Sequence, residues 1–265
     1  MIAILHRLLP LIFPPQCPVC GELTDGTADQ LCPACNVRLE EELRLPCPVC
    51  GNIAAECICR PEDFHEFLTA VGGRIHITAG FYQPHCPDAV LSKLIFSLKT
   101  TGDEASLRIL SRLLSRELMK SFLAAGEDIR NWTFTYPPRS THKRRAAGFD
   151  QAQKLAQMCA AETGAHYTFY FTRRGGREQK NLGSAERRAN AETSLHLRRG
   201  AACRGARIIL LDDIVTSGAT VMRCAALLRE AGAEKILCAS ALKTVPQKYP
   251  PKKKSGVLWF QEDDT

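Results

Sequence analysis

From about residue 70 onward, the hydrophobic positions follow two periods that alternate along the chain. Short apolar runs, which are typical of buried β-strands, cover residues 75–77, 80–82, 132–136, 167–171, 207–211 and 236–242. Segments with apolar residues three and four positions apart, which is helical spacing, cover residues 89–98, 103–125, 149–163 and 219–231. Strands that alternate with helices predict an α/β fold, in which an open and mainly parallel sheet is flanked by helices.

The first 66 residues lack this alternation and predict a separate small module. Residues 1–13 are apolar but contain Arg7, and Pro14 and Pro15 follow, so a short amphipathic helix fits them better than a secretion signal or a membrane span. We expect three parts: a helix with a Cys-rich module over residues 1–66, the α/β domain over 67–245, and a flexible charged tail over 246–265. Without a signal or a transmembrane segment, the expected compartment is the cytoplasm.

Cysteine is the most unusual component, with 13 in 265 residues. Eight of them form four close pairs: Cys17/Cys20, Cys32/Cys35, Cys47/Cys50 and Cys57/Cys59. A Cys-x-x-Cys turn places two thiolates on one knuckle, and two knuckles supply the tetrahedral sulfur ligands that Zn²⁺ prefers. The spacing predicts one or two structural zinc ions, which supply folding energy to a segment with few large apolar residues. Zinc-ribbon-like folding is therefore expected for this module.

The second zinc site leaves alternatives open. Cys57 and Cys59 have one residue between them instead of two, which distorts the knuckle. His65 is an alternative ligand, and ligation that crosses between the two groups is another. A redox or disulfide role is disfavoured by a reducing compartment. The remaining five cysteines lie among apolar residues and are expected in the core, namely Cys86, Cys159, Cys203, Cys224 and Cys238.

Charge is concentrated in one stretch of the chain. The net charge is +7, yet residues 139–207 alone hold 15 Lys and Arg against 5 Asp and Glu, a local balance of +10. This excess indicates either an anionic partner, such as a phosphorylated small molecule or a nucleic acid, or simply a solvated basic face.

Residues 208–220 carry the most specific chemical signal. Four apolar residues lead into Asp212 and Asp213, and a turn then opens the predicted helix at 219–231. The members of this turn are Thr216, Ser217, Gly218, Ala219 and Thr220. Hydroxyls, free backbone N–H groups and a helix N-terminus form a cradle for phosphate, and two adjacent carboxylates accept hydrogen bonds from neighbouring ribose hydroxyls. A second segment of interest is a basic loop that contains Arg139, Lys143, Arg144 and Arg145. It lies between a predicted strand and a predicted helix, where its cations are placed to meet a pyrophosphate.

The 208–220 segment resembles the motif with which type I phosphoribosyltransferases bind 5-phosphoribosyl-1-pyrophosphate (PRPP). Together with the Cys-x-x-Cys pairs, the chain is identified as a member of the ComF (ComF/GntX-like) family, which joins an N-terminal zinc ribbon to a phosphoribosyltransferase-like domain. Three further segments are similar to that family. They are the box Ala147-Gly148-Phe149-Asp150-Gln151, where the family commonly has Arg-Gly-Phe-Asn-Gln; Leu98-Lys99 with Gly102-Asp103; and Gln179 to Leu182 followed by Glu186-Arg187 and Asn190.

The resemblance implies PRPP with Mg²⁺ as the ligand. We expect residues 216–220 to bind the 5′-phosphate, and Asp212 and Asp213 to bind the ribose hydroxyls and Mg²⁺ through water. The basic loop from Arg139 to Arg145 is expected at the pyrophosphate, and Lys99 is expected to stabilise charge. The implied reaction is pentosyl transfer through an oxocarbenium-like transition state, to an acceptor that the sequence does not identify.

An alternative is a protein that binds PRPP without turnover. The resemblance implies a role in DNA uptake during natural competence, with single-stranded DNA and the uptake machinery as partners. The basic stretch suits a nucleic-acid groove, although its aromatic residues fall mostly on a predicted strand and do not indicate a stacking platform. A PRPP-sensing regulator is disfavoured because the sequence shows no helix-turn-helix.

Overall fold

The computed structural model describes residues 14–24, 30–57, 59, 74–84, 86–139, 148–174, 191 and 193–244. Several sequence-based predictions lie outside these residues and stay predictions. They concern the N-terminal helix, His65 as a ligand, the pyrophosphate contacts of Lys143, Arg144 and Arg145, the segment from Gln179 to Asn190, and the charged tail.

A parallel sheet forms the centre of the α/β domain. Among the described residues, the strands are β1 (Arg74–Tyr82), β2 (Thr133–Thr135), β3 (His166–Tyr167), β4 (Phe171–Arg173), β5 (Leu195–Leu197), β6 (Arg207–Val215) and β7 (Lys235–Thr244). Five of them pair in the order β1-β7-β6-β2-β3, and every pairing in this sheet is parallel. The sheet predicted from the alternating periods is confirmed, and β6 occupies its middle position.

Helices cover the sheet. They are α1 (Pro33–Arg44), α2 (Val90–Thr100), α3 (Glu104–Ala124), α4 (Gln151–Thr163) and α5 (Ala219–Glu230), with a 3-10 turn at Ile129–Asn131. Side chains define several of their starts, since Asp103 caps α3 and Asp150 caps α4. Gly164, with φ +71°, ends α4 as its position after the apolar stripe predicts.

Alternate residues of β6 enter two separate hydrophobic cores. Ile209 and Leu211 pack with the buried faces of α2, α3 and α4. Ile208 and Leu210 pack with α5 and with the β4–β5 strands. Because side chains alternate across a strand, the two acids that follow in β6 continue this division.

Some local predictions are corrected. Residues 75–77 and 80–82 belong to the single strand β1, which pairs with β7 from Arg74 to Tyr82 with a shift in register between Arg74 and Ile77. The run at 167–171 is split, since Tyr167 ends the edge strand β3 while Phe171 begins β4 and is fully buried in the second core. Strand β6 does not stop at Leu211 but continues through both acids to Val215. Strand β5 and helix α1 were not predicted.

Four of the five isolated cysteines are buried, as their apolar neighbours in the sequence predict. The four buried ones are Cys159, Cys203, Cys224 and Cys238, while Cys86 is half-buried. Within the described residues, none of the helices has the length and apolar character that crossing a membrane requires.

Candidate functional site

The carboxyl end of β6 brings two acids together at the middle of the sheet. The backbone N–H of Asp213 donates to Asp212 Oδ1 at 2.8 Å, and that of Ile214 donates to Asp213 Oδ1 at 2.6 Å. These bonds orient both carboxylates at the edge of the sheet where open α/β folds bind ligands. The sequence predicts this position for both residues.

The two acids face different surroundings. Asp213 lies 3.4 Å from the Nζ atom of Lys99, and its side chain is only 13% exposed. Asp212 lies on the opposite face of the sheet, close to Arg173 and Cys224. Burial raises the pKa of Asp212 to about 8, and the negative charge of Asp213 adds to this effect. One carboxylate is thus ion-paired, while the other holds a proton near neutral pH.

Lys99 reaches the site from the last turn of α2. Its backbone oxygen accepts a hydrogen bond of 3.0 Å from Gln151 Nε2, at the start of α4. The sequence predicts Lys99 as a charge-stabilising residue, and the structure brings its ammonium group to the acid pair. Its side chain remains 32% exposed, so it faces the open side of the site as well.

The turn after β6 contains a left-handed glycine and leads into the N-terminus of α5. Gly218 adopts φ +75°, a left-handed conformation that glycine reaches without steric penalty, and it precedes the first turn of α5. Among the described residues, no side chain caps this helix N-terminus. Its first N–H groups therefore lack a side-chain acceptor and point toward any anion bound there. Thr216 is exposed, while Ser217 and Thr220 are half-buried beside it.

Arg139 stands at the edge of the described residues. Its backbone N–H donates to Asp150 Oδ2 at 2.9 Å, while Asp150 Oδ1 accepts from Gln153 N at 3.4 Å. Burial raises the pKa of Asp150, and the nearby charge of Asp213 adds to the increase. Asp150 thus fixes the start of the basic loop close to the acid pair.

Arg173 is a site residue that sequence reasoning missed, whereas Asp150 is part of the family-like box but is assigned no role by the sequence. The guanidinium group of Arg173 donates to Ser194 Oγ at 3.2 Å and to the Pro138 backbone oxygen at 3.5 Å. Burial lowers the pKa of Arg173, and the carboxylates of Asp212 and Asp150 oppose that shift. The Gly148 to Gln151 box, directly before a helix, is the signal that would have found Asp150. Arg173 had none beyond its place in a basic stretch.

The aromatic residues near β3 pack on one another. Tyr136 stacks on Tyr167 at 6.4 Å between ring centroids and on Phe169 at 5.3 Å. Arg198 lies 5.3 Å from the centroid of the Phe169 ring. These ring contacts hold the aromatic residues against one another within the protein.

The eight paired cysteines form two groups of four. The groups are Cys17, Cys20, Cys32 and Cys35, and Cys47, Cys50, Cys57 and Cys59, and within each group all Sγ atoms lie within 4.8 Å of one another. Four thiols at this spacing fit a tetrahedral Zn²⁺ site without an open position. Gly21 (φ +78°) and Gly51 (φ +79°) provide left-handed turns directly after two of the knuckles. The described residues follow the sequential pairing and not a crossed one.

Comparison with known proteins yields both parts of this organisation. Residues 150–263 match the phosphoribosyl transferase domain family, and residues 8–63 match the double zinc ribbon domain family. The DNA utilization protein YhgH of Salmonella typhimurium is 27% identical over 213 residues, which cover 77% of this chain and 86% of that protein. The competence protein ComFC of Streptococcus pneumoniae is 26% identical over 207 residues, which cover 78% of this chain and 84% of that protein.

A hypoxanthine phosphoribosyltransferase structure from Staphylococcus aureus overlaps 53% of this chain and 73% of its own, at 8% identity and a TM-score of 0.33. That similarity is too low to support an argument. Two other observations carry weight. The double zinc ribbon precedes the phosphoribosyl transferase domain, and both relatives named above align over most of their own length. The chain therefore joins an N-terminal double zinc ribbon to a phosphoribosyl transferase domain, an organisation that is consistent with the ComF family.

Proposed function

We propose that the protein binds PRPP together with Mg²⁺ at the carboxyl end of β6 and transfers its phosphoribosyl group. The observation that carries the proposal is the sequence of features along one short segment. An acid pair, with Lys99 on one member, leads directly into a glycine turn and an uncapped helix N-terminus. This arrangement supplies acceptors for ribose hydroxyls beside donors for a phosphate, which are the two halves of a ribose phosphate.

The residues divide the ligand among them. Backbone N–H groups and hydroxyls of residues 216–220 bind the 5′-phosphate, and Asp212 and Asp213 accept hydrogen bonds from the ribose hydroxyls. Arg139, with Lys143, Arg144 or Arg145 of the basic loop, binds the pyrophosphate. Lys99 stabilises negative charge beside Asp213. These groups hold the ribose in one orientation while the bond from C1′ to pyrophosphate breaks.

Mg²⁺ fits the acid pair in this scheme. Carboxylate oxygens are ligands that Mg²⁺ accepts, usually with water molecules completing its shell, and the ion supplies positive charge to the departing pyrophosphate. Asp212 and Asp213 are the residues that hold it.

Each cysteine group binds one structural Zn²⁺ in this proposal. The first site uses Cys17, Cys20, Cys32 and Cys35, and the second uses Cys47, Cys50, Cys57 and Cys59. Eight thiolate ligands require reducing conditions, which supports a cytoplasmic location.

Calorimetric titration of Mg·PRPP into zinc-replete protein tests the proposal, with pyrophosphate release followed while candidate acceptors are supplied. We expect saturable binding that Asp212→Ala combined with Asp213→Ala abolishes, and pyrophosphate release with one class of acceptor. Unchanged affinity in the double variant would rule out the assigned site. Binding without release under any acceptor would restrict the function to PRPP binding.

Single-stranded DNA is a second candidate ligand, with the DNA-uptake machinery as a partner. The exposed arginines that support it are Arg174, Arg198, Arg199 and Arg204. The names of the two relatives above, which refer to DNA utilization and to competence, favour the same direction. Affinity for a labelled oligonucleotide should fall steeply as salt increases, because phosphate contacts release counterions. An absence of binding at low salt would exclude this function.

A further inference from the structure

Helix α2 begins without a capping side chain of its own. Ala89 occupies its N-cap position and offers no acceptor for the first N–H groups. Glu42, on the last turns of α1, provides both acceptors instead. Its Oε1 atom accepts from Val90 N at 2.6 Å, and its Oε2 atom accepts from Leu91 N at 3.0 Å.

A second contact from α1 reaches the same place. Arg38, one turn before Glu42, donates to the backbone oxygen of Asp88 at 2.6 Å. A carboxylate at a helix N-terminus is also favoured by the helix dipole. Two side chains of α1 therefore fix the position of the first residues of α2. The negative charge of Glu42 also lies at the positive end of the dipole of this helix.

Helix α1 itself starts within the first cysteine group. Cys32 is its N-cap residue, and the Sγ atom of Cys32 accepts from the backbone N–H of Cys35 at 3.5 Å. Cys35 and Leu39, the buried residues of α1, belong to the same hydrophobic core as α2. The orientation of α1, and with it of Glu42, is thus set where the first zinc ribbon meets the α/β domain.

The other end of α2 carries Lys99 to the acid pair. The helix has 11 residues and spans about 16 Å. Its buried residues are Val90, Leu91, Ser92, Leu94, Ile95 and Leu98. A short helix packed along its length transmits a displacement at its start to its last turn. The ammonium group of Lys99 lies 3.4 Å from Asp213 Oδ2, so a shift of about one ångström changes this ion pair.

We propose that Glu42 is a positioning residue, which holds α2 from the first zinc ribbon so that Lys99 meets Asp213. The zinc ribbon is thereby a structural part of the phosphoribosyl site, although it contributes no group to the ligand. The ligand-binding consequence rests on the proposed function, whereas the contact of Lys99 does not.

Glu42→Ala tests the proposal by three measurements. Hydrogen exchange at the amides of Val90 and Leu91 should accelerate, and the NMR signals of the Lys99 ε-methylene group should move toward those of a solvated lysine. The affinity for Mg·PRPP should weaken about 3- to 10-fold, which is a typical coupling between distant groups. Glu41→Ala, an exposed neighbour on the same helix, is the matched control and should leave all three unchanged.

A double-mutant cycle separates positioning from general stability. In a Lys99→Ala background, Glu42→Ala should cause no further loss of Mg·PRPP affinity, because the residue through which it acts is absent. Full additivity of the two losses would overturn the proposal.

A cap supplied from within α2 provides a second test. Glu42→Ala combined with Ala89→Ser restores an acceptor for the first N–H groups with a small side chain at this buried position, but not the link to α1. We expect amide protection to recover while the Lys99 signals and the affinity stay altered. Recovery of all three would mean that Glu42 is only a helix cap.

The two proposals fail in different ways. If wild-type protein does not bind Mg·PRPP, the proposed function is wrong, and the Lys99 signals alone decide the role of Glu42. If the amides and the Lys99 signals of Glu42→Ala equal those of wild type, the positioning role is wrong, whatever the protein binds.

Discussion

Asp212 and Asp213 are adjacent in the chain, yet the pleat of β6 assigns them to different sides of the sheet. Asp213 shares its side with α2 and pairs with Lys99. Asp212 shares its side with Arg173 of β4, whose guanidinium charge interacts with it electrostatically. Positive charge therefore acts on the acid pair from two different elements, α2 and β4. A ligand bound between the acids would contact both halves of the domain.

The raised pKa of Asp212 predicts a pH dependence of stability. A carboxyl whose pKa is raised by folding binds its proton more tightly in the folded state, so it favours folding at low pH and opposes it once deprotonated. The free energy of unfolding of the wild type, relative to Asp212→Asn, should therefore fall as pH rises from about 4 to about 8. Urea denaturation of both proteins, without ligand and at several pH values, measures this difference in the free energy of unfolding. A difference that is constant with pH would show that Asp212 titrates normally.

Gly102 predicts a stability effect at the turn between α2 and α3. It has φ +69°, and a Cβ atom there would lie 2.8 Å from Cε1 of Phe149. Gly102→Ala should lower the free energy of unfolding by about 2–3 kcal/mol, because backbone strain adds to displacement of the Phe149 ring.

Gly126→Ala is the matched control for this substitution. Gly126 has φ +63°, and nothing lies within 4 Å of its added Cβ. Gly126→Ala should lower the free energy of unfolding by only about 1 kcal/mol, because backbone strain is its sole cost. Equal losses in the two variants would mean that the Phe149 ring moves aside freely.

At the scale of elements, the unit formed by β6, its turn and α5 concentrates the predicted ligand contacts. Strand β6 pairs with β2 over Ile208–Leu210 and with β7 as far as Val215, so the turn departs from a strand that β7 holds in register up to its end. Gly218, with φ +75°, directly precedes Ala219, the first residue of α5. The phosphate contacts in this proposal are thus backbone groups on a fixed frame.

Gly218→Ala tests the importance of that turn. A side chain at φ +75° is strained, so the turn should relax and misdirect the N–H groups of α5. We expect the affinity for Mg·PRPP to fall about 10-fold, which corresponds to the loss of about one hydrogen bond to a charged group.

Gly205→Ala serves as the comparison for Gly218→Ala. Gly205 has φ +71° in another loop, and nothing lies within 4 Å of its added Cβ. Gly205→Ala should lose about as much stability as Gly218→Ala while it keeps the wild-type affinity for Mg·PRPP. The role of the turn is refuted when both variants bind as tightly as the wild type in titration calorimetry.

The elements that the sequence predicts well are those whose signals are local. The β6 turn combines four apolar residues, two acids and a glycine within 13 residues, and each has its own conformational meaning. Strands β4 and β5 have three residues each and pair across more than 20 positions, so their existence depends on the distant burial of Phe171 and Leu195. Helix α1 buries only Cys35 and Leu39, which is too few for an amphipathic stripe.

At the scale of the whole molecule, the zinc ribbons and the α/β domain share their hydrophobic interior. The first cysteine group is continuous with the larger core, through Cys17, Cys32, Cys35 and Leu39. The second forms its own cluster, in which Cys47, Ala54 and Cys57 pack on Phe81 of β1. A segment with few large apolar residues thus completes its packing with those of the domain. This explains why it can fold despite its composition.

Lys243 links the second cysteine group to the carboxyl edge of the sheet. Its Nζ atom donates to the backbone oxygen of Cys57 and lies 5.4 Å from the centroid of the Phe81 ring. The side chain is 4% exposed, and in β7 Lys243 pairs with Val215, the residue just before the phosphate turn. Four thiolates around one Zn²⁺ carry a net charge of −2, so a buried ammonium group beside them stabilises the loaded site.

Lys243→Met should therefore weaken zinc retention at the second site alone. We expect release of that ion to a chelating dye to accelerate about 10- to 100-fold, since a buried charged hydrogen bond contributes about 1.5–3 kcal/mol. The first site is an internal control, and Lys235→Met, a 42% exposed lysine at the opposite end of the same strand, controls for the substitution itself. Two ions released at wild-type rates from Lys243→Met would show that Lys243 only fills space. Selective loss of one ion would instead show that the α/β domain provides part of the binding energy of its zinc ribbon.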